Sequence, residues 1–151
     1  MAGRPATVKI ENLTNYDGRT VRKIVTRVAN GVEVDPSLVV VNYVLEYPPE
    51  LWGGLPRYVT ENAAFCGYAQ QFSRSVGFFL NYPDYYPAAW SFDGRLKLPD
   101  LHLQDWQEAL VCVAAHEFTH IRQFDQGDEL TEREPSYAEI RYLEDWRQGK
   151  L

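Results

Sequence analysis

The chain has 151 residues, of which 45% are hydrophobic, and its net charge is −6. This length suits a single domain over residues 1–151, and no run approaches the ~18 consecutive apolar residues that indicate a transmembrane helix. Residues 1–30 contain six Lys and Arg against two acidic residues, so they carry +4 and the remainder −10, which argues against nucleic acid as the main partner.

The N-terminal third of the chain predicts a strand, an amphipathic helix and a second strand. Residues Thr7–Asn12 alternate between apolar and polar, as a strand does. Asp17 can cap a helix over about residues 18–30. The basic residues of this helix alternate with Val and Ile at helical spacing, so we expect them to form its solvent-exposed face. Ser37–Tyr47 alternates over its whole length and predicts the strongest strand.

Two further strands and two loops are predicted in the middle of the chain. Ala63–Ser73 and Ser75–Tyr82 have strand patterns, and the segments 47–58 and 82–94 are rich in Pro, Gly and aromatic residues. We expect most rings of these loops to cover the core, because large rings bury well. Arg95–Leu103 alternates in two halves separated by a proline, which restricts such a strand to a sheet edge or a bulge.

The last part of the chain is predicted to be helical. One helix is expected over residues 106–124, with Asp105 as its N-cap and Gly127 beyond its end. Another is expected from near Pro135 to residue 146 or 147. Strands first and helices last predict the α+β class: a small mixed or antiparallel sheet with an N-terminal helix, an active-site helix and a C-terminal helix that carries a ligand Glu.

The sequence His-Glu-Phe-Thr-His occupies residues 116–120, in the most apolar helical stretch of the chain. Because positions i and i+4 share one face of a helix, His116 and His120 can bind one metal ion together. Glu117 lies beside that face and can reach a water at an open position of the metal. The pattern predicts a catalytic zinc site with Glu117 as the catalytic residue.

This pattern is the HExxH motif, and the region from Asp105 to Arg147 resembles the zincin metallopeptidases. It is most similar to the gluzincin branch, in which a Glu on the following helix completes the zinc site. The metzincin branch would need Gly, and then His or Asp, at positions held here by Gln123 and Gln126. The resemblance implies zinc-dependent hydrolysis of peptide bonds in a peptide or protein substrate.

A catalytic zinc ion normally has three protein ligands, and we expect Glu139 to be the third. At helical spacing it shares the apolar face of Tyr142, Leu143 and Trp146, where an unpaired carboxylate would be costly. Glu134 is the alternative, although its place before a proline also suits a helix cap. Gluzincins often have an acidic residue four positions after the ligand Glu, and here Leu143 stands there, so support for the histidines must come from elsewhere.

Further expectations concern the substrate and the surroundings of the protein. The donor that stabilises the developing oxyanion could be Tyr137, Arg141, Tyr142 or His102. A peptide could pair with the edge strand at Arg95–Leu103. An N-terminus without an apolar leader and a total of two cysteines predict a cytoplasmic protein that does not contact membranes. The alternative function is a non-catalytic zincin-fold module that binds a protein partner.

Overall fold

The computed structural model describes residues 9–12, 14–35 and 64–151, and the backbone of residues 40–46. The predicted loop 47–58 and the outer residues of three predicted strands lie outside the described residues. The described part contains helices and two sheets, which confirms the α+β class. In chain order its strands and helices are β1 (Lys9–Asn12), α1 (Gly18–Gly31), β2 (Val40–Glu46), β3 (Phe65–Gln70), β4 (Ser75–Leu80), β5 (Ala88–Trp90), β6 (Leu101–Leu103), α2 (Trp106–Gln126) and α3 (Arg133–Arg147).

The larger sheet is mixed and has the strand order β1–β2–β4–β3. Strands β1 and β2 are parallel, with α1 as the crossover that parallel pairing requires. Strand β2 is also parallel to β4, whereas β3 and β4 form an antiparallel pair. Strands β5 and β6 form a separate antiparallel sheet, called the small sheet below. The predicted mixed sheet is therefore confirmed, and a second, two-stranded sheet accompanies it.

Helix α1 has the cap and the buried face that its sequence predicts. The carboxylate of Asp17 accepts a hydrogen bond of 3.0 Å from the backbone N–H of Thr20, which satisfies one of the free donors at the helix start. The apolar side chains at helical spacing are fully buried and the basic ones are exposed, and α1 packs against α2. The buried residues of this face are Val21, Ile24, Val25 and Val28.

Helix α2 is the central element of the fold and contacts α1, α3 and the larger sheet. The carboxylate of Asp105 accepts a hydrogen bond of 3.0 Å from the backbone N–H of Glu108. The helix ends at Gly127, whose φ of 68° is a left-handed conformation that suits glycine. Every residue from Ala109 to Ala115 is buried. The motif residues that follow therefore stand on a helix that is fixed by packing on several sides.

The prediction of an edge strand over Arg95–Leu103 is wrong for most of its length. The carboxylate of Asp93 accepts a hydrogen bond of 2.9 Å from the backbone N–H of Arg95, and this cap starts a short 3-10 turn. Lys97 then adopts a φ of 55°, which a strand does not permit. Only β6 is extended, and it pairs with β5, a segment for which the sequence predicts a loop.

Helix α2 approaches β3 closely where the strand lacks a side chain. A Cβ atom on Gly67 would lie 2.7 Å from Cγ2 of Val113 and 2.9 Å from Cγ of Glu117. Both distances are well below the ~3.5–4.0 Å at which carbon atoms attract each other. The missing side chain of Gly67 therefore sets how deeply Glu117 sits against the sheet.

We expect Gly67→Ala to destabilise the protein by about 1–3 kcal/mol, because the added methyl group overpacks the contact between β3 and α2. Chemical denaturation measures this change. Gly94→Ala is the matched control, since a Cβ there meets no atom within 4 Å, and we expect it to change stability by less than about 0.5 kcal/mol. Equal effects of the two variants would contradict the close approach.

An ion pair joins the first turn of α2 to the last turn of α3. Nε and Nη2 of Arg147 donate hydrogen bonds of 2.9 and 2.8 Å to the two carboxylate oxygens of Glu108. Arg147 also donates to the backbone carbonyl of His102 in β6. Burial raises the pKa of Glu108, but hydrogen bonds from Arg147 and from the backbone of Gln104 outweigh it and hold the pKa below its usual value. This link fixes both helices and the small sheet relative to one another.

The lowered pKa of Glu108 predicts how stability depends on pH. Just below pH 4.5, the group's ordinary pKa, the unfolded state binds more protons than the native state, so the contribution of the pair is lost as pH falls through the native pKa. We expect Glu108→Gln to lower the free energy of unfolding at pH 7 by about 1 kcal/mol, a modest loss because Arg147 is partly exposed. Urea denaturation at pH 7 and pH 3.5 should show a smaller difference at the lower pH; a constant difference would argue against the pair.

Candidate metal centre

The motif residues on α2 form a compact cluster of metal-binding side chains. One donor atom from each of His116, Glu117 and His120 lies within 4.8 Å of the other two. The rings of the two histidines have their centroids 5.0 Å apart, and both side chains are largely buried. The His-Glu-x-x-His spacing thus produces the shared face that the sequence predicts, and the cluster is compatible with an HExxH motif.

Glu132, which directly precedes α3, contacts both histidines. Its two carboxylate oxygens lie 3.0 Å from Nε2 of His116 and 3.2 Å from Nε2 of His120. The hydrogen bond with His116, together with the charge of that ring, holds the pKa of Glu132 below its usual value. The position of Glu132 does not follow from helix periodicity, because periodicity assigns no face to a residue before the helix begins. The sequence feature that points to it is the short connection after Gly127, which returns the chain to the end of α2.

Glu139 lies on the buried face of α3, as its spacing predicts, and is 1% exposed. Its Oε2 atom is 2.9 Å from Nδ1 of His116. Burial raises the pKa of Glu139, whereas His116 and the nearby indole N–H of Trp90 favour its charged form. The indole nitrogen and Oε1 of Glu139 do not form a well-aligned hydrogen bond with each other or with another described residue.

Gln123 fixes the tautomer of His120. Its amide nitrogen donates to Thr131 Oγ1 at 3.4 Å and to Glu134 Oε2 at 3.3 Å, so its oxygen is the atom 3.0 Å from Nδ1 of His120. Because an amide oxygen only accepts, Nδ1 carries the hydrogen. Burial and the nearby His116 lower the pKa of His120. The hydrogen bonds with Gln123 and Glu132 act in the opposite direction, and Nε2 is the ring nitrogen that faces Glu132.

His116 is in the opposite electrostatic situation. Burial alone would lower its pKa, but hydrogen bonds to Glu132 and Glu139 outweigh burial and raise the pKa to about 10. Each ring nitrogen faces a carboxylate, and Nδ1 donates to Glu139. The ring is thus oriented by Glu139 on one side and presents Nε2 to Glu132 on the other.

These side chains fit a divalent metal ion. Nε2 of His120 and Oε1 of Glu132 are 3.2 Å apart, and Nε2 of His116 and Oε2 of Glu132 are 3.0 Å apart, so potential donor atoms from three side chains converge at this point. Two imidazole nitrogens and a carboxylate are a donor set that zinc accepts in proteins. Hydrogen bonds at both Nδ1 atoms orient the rings, as is usual for metal-binding histidines.

Glu117 is buried next to the cluster. Burial is the main reason that its pKa is raised to about 7, and the negative charges of Glu132 and Glu139 act in the same direction against the opposing effect of His116. The contact with β3 at Gly67 limits its movement. A carboxyl group with this pKa can exchange a proton near neutral pH.

A cavity of about 370 Å³ opens beside the histidines. The small sheet and the turn after β5 supply most of its apolar wall, and α3 supplies the polar side. The site residues His116, Glu132 and Glu139 line it together with Trp90, Phe92 and Ser136. The sequence does not predict a role for Trp90, Phe92 or Ser136, because the shape of this cavity depends on the pairing of β5 with β6.

The residues predicted to stabilise an oxyanion do not line this cavity. Tyr137, Arg141 and Tyr142 line a separate cavity of about 280 Å³ between α2 and α3, and the side chain of His102 is exposed on β6. Glu134, the alternative metal ligand, forms an ion pair with Arg122 and hydrogen-bonds Gln123. The structure thus brings together the three motif residues and Glu139, but not these five side chains.

No protein-family model, curated protein or solved structure matches this chain. Within the described residues, no helix combines the length and the apolar character needed to cross a membrane. The function must therefore be inferred from the chemistry of the cluster on α2 and of the cavity beside it.

Proposed function

We propose that this protein is a zinc-dependent peptidase, in line with its resemblance to the zincin metallopeptidases. The observation that carries the proposal is the convergence of His116 and His120 beside the buried carboxylate of Glu117. A structural zinc site fills its coordination shell with protein ligands and does not need a general base. An acidic group that titrates near pH 7 next to two imidazoles therefore favours a catalytic centre.

His116 and His120 would bind the ion through Nε2, because both Nδ1 atoms are engaged in hydrogen bonds with other side chains. The neutral tautomer of His120 is already suited to this role. At His116, metal binding would displace the proton on Nε2, since a metal ligand must be deprotonated at the binding atom. Glu139 continues to orient this ring through Nδ1.

Glu117 is the general base in the proposed reaction. Zinc, when bound, supplies Lewis acidity toward a carbonyl group and lowers the pKa of water to about 7. Glu117 is buried beside both imidazoles, and its carboxylate would accept a proton from the attacking water and release it to the leaving amine. Packing against β3 holds Glu117 in place for both transfers.

The proposed substrate is a peptide or protein segment that binds along β5. Trp90 at the end of this strand lines the cavity beside His116. Strand β5 pairs with β6 on one side. No strand of the described part of the chain pairs with its other side, which would accept an extended peptide through main-chain hydrogen bonds. The small volume of the cavity favours a narrow range of substrates.

The first test concerns metal binding. We expect His116→Ala and His120→Ala to abolish zinc retention, because each removes one of the two imidazole ligands. His102→Ala is the matched control, since its side chain is exposed on β6, and it should bind zinc as the wild type does. Elemental analysis after gel filtration measures the zinc content of all four proteins. Undiminished zinc in either motif variant would refute the proposed ligands.

The second test separates an enzyme from a zincin-fold binding module. We expect Glu117→Gln to retain zinc and the fold, because the amide has nearly the same shape, and to lose peptidase activity by about 10²–10⁴-fold, as loss of a general base does. The assay compares wild type, this variant and the exposed control Glu129→Gln on one peptide library, with zinc measured in the same samples. Equal cleavage by wild type and Glu117→Gln would indicate a contaminating protease, and no cleavage by the zinc-loaded wild type would favour the binding module.

A further inference from the structure

We infer that the two glutamates of the site have different tasks: Glu132 is the third metal ligand, and Glu139 is a positioning residue for His116. This assignment rests on the proposed metal-dependent function. It differs from the expectation that the buried Glu139 is itself the ligand. Both residues are close to His116, so the distinction depends on which nitrogen each carboxylate meets.

Glu132 meets the nitrogens that converge. Its oxygens are 3.0 and 3.2 Å from the Nε2 atoms of His116 and His120, so one carboxylate faces both of the nitrogen atoms that would hold an ion. Glu132 is also the residue that precedes the first turn of α3, where the helix dipole favours negative charge. Of the described carboxylates, Glu132 is the one with an oxygen within 3.2 Å of a ring nitrogen of each histidine.

Glu139 meets the other nitrogen. Nδ1 and Nε2 lie on different sides of the imidazole ring, and Glu139 is 2.9 Å from Nδ1 of His116. To bind an ion held at Nε2, its carboxylate would have to leave this hydrogen bond and pass around the ring. Its side chain is 2% exposed and is confined between α2 and α3, so the packing opposes such a movement.

Trp90 lines the same cavity as Glu139. Its indole N–H and Oε1 of Glu139 are both buried without a hydrogen-bond partner among the described residues, so a donor and an acceptor of complementary chemistry are both left open. A hydrogen bond between them would connect the small sheet to the metal centre through Trp90, Glu139 and His116. Trp90 would then both contact substrate and support the positioning carboxylate.

The experiment measures zinc affinity by competition with a chelating indicator in four full-length proteins: wild type, Glu132→Gln, Glu139→Gln and the control Glu129→Gln. We expect Glu139→Gln to weaken binding by about 10–100-fold, as loss of a residue that hydrogen-bonds a ligand does. Glu132→Gln should weaken it by more, because a ligand is lost, and Glu129→Gln should leave it unchanged. The reverse order, or a Glu132→Gln variant that binds as the control does, would overturn the assignment.

Spectra of the cobalt(II)-loaded proteins distinguish a ligand from a positioning residue. Glu132→Gln should change the visible absorption of cobalt(II), which reports its ligand set, whereas Glu139→Gln should retain the wild-type band positions. In proton NMR spectra of the zinc-loaded proteins, Glu139→Gln should shift the Nδ1–H signal of His116 and leave that of His120 in place. A cobalt(II) spectrum altered by Glu139→Gln and unaltered by Glu132→Gln would make Glu139 the ligand.

Trp90→Phe keeps the inference testable if Glu139→Gln fails to fold, because it retains an aromatic ring while it removes the N–H donor together with part of the indole. It should weaken zinc binding, shift the His116 signal in the same direction and retain the cobalt(II) band positions. A Trp90→Phe protein with wild-type zinc affinity and NMR spectrum would refute the role of Trp90. Wild-type protein that binds neither zinc nor cobalt(II) would refute the proposed function itself, which separates that failure from a wrong assignment of the two glutamates.

Discussion

The crowding of acidic groups around His116 is the constraint on which the site depends. Glu117, Glu132 and Glu139 all interact electrostatically with this ring, and two of them are almost fully buried. Like charges in a poorly solvated environment repel one another strongly unless a positive charge stands among them. A proton on His116 provides one such charge, and a divalent ion would provide a stronger one. Burial raises the pKa of Glu117 to about 7, and the negative charges of Glu132 and Glu139 act in the same direction.

The fold supports this crowding by burying α2 on several sides. The absence of a side chain at Gly67 lets the helix approach β3, and the pair between Glu108 and Arg147 connects its start to the end of α3. Because one end of the helix pair is joined and the middle of α2 is packed against β3, a small shift of one helix cannot separate the acidic groups. Packing energy from the core therefore opposes electrostatic repulsion at the site, a balance common at functional sites.

The sequence predicts those parts of the site that depend on helix geometry. The shared face of His116 and His120 and the burial of Glu139 both follow from the 3.6-residue period. The role of Glu132 does not, because it depends on where the connection between α2 and α3 returns the chain. The residues of the cavity wall could not be predicted from the sequence either. The pairing of β5 with β6 depends on the turn capped by Asp93 rather than on an alternating pattern.

The positions of Tyr137, Arg141 and Tyr142 also could not be predicted from helix periodicity alone. They are among the candidates that the sequence offers for an oxyanion donor, but they lie on a side of α3 that faces another cavity. Helix periodicity predicts which residues share a face, but it does not predict which face meets the cluster of His116, Glu117 and His120. Which face meets the cluster depends on the angle at which α2 and α3 cross, and this angle is set by the packing of the whole core.

The exposure of Glu132 has a consequence for how fast an ion enters and leaves the centre. Its side chain is 67% exposed and stands at the start of a helix, whereas the histidine side chains are 20% and 13% exposed and each is held by a hydrogen bond at Nδ1. One part of the donor set is thus rigid and the other can swing into solvent. Exchange of the ion would proceed through rotation of Glu132 while the two imidazoles stay in place, so the residence time of the metal would be governed by the rotamers of one surface side chain.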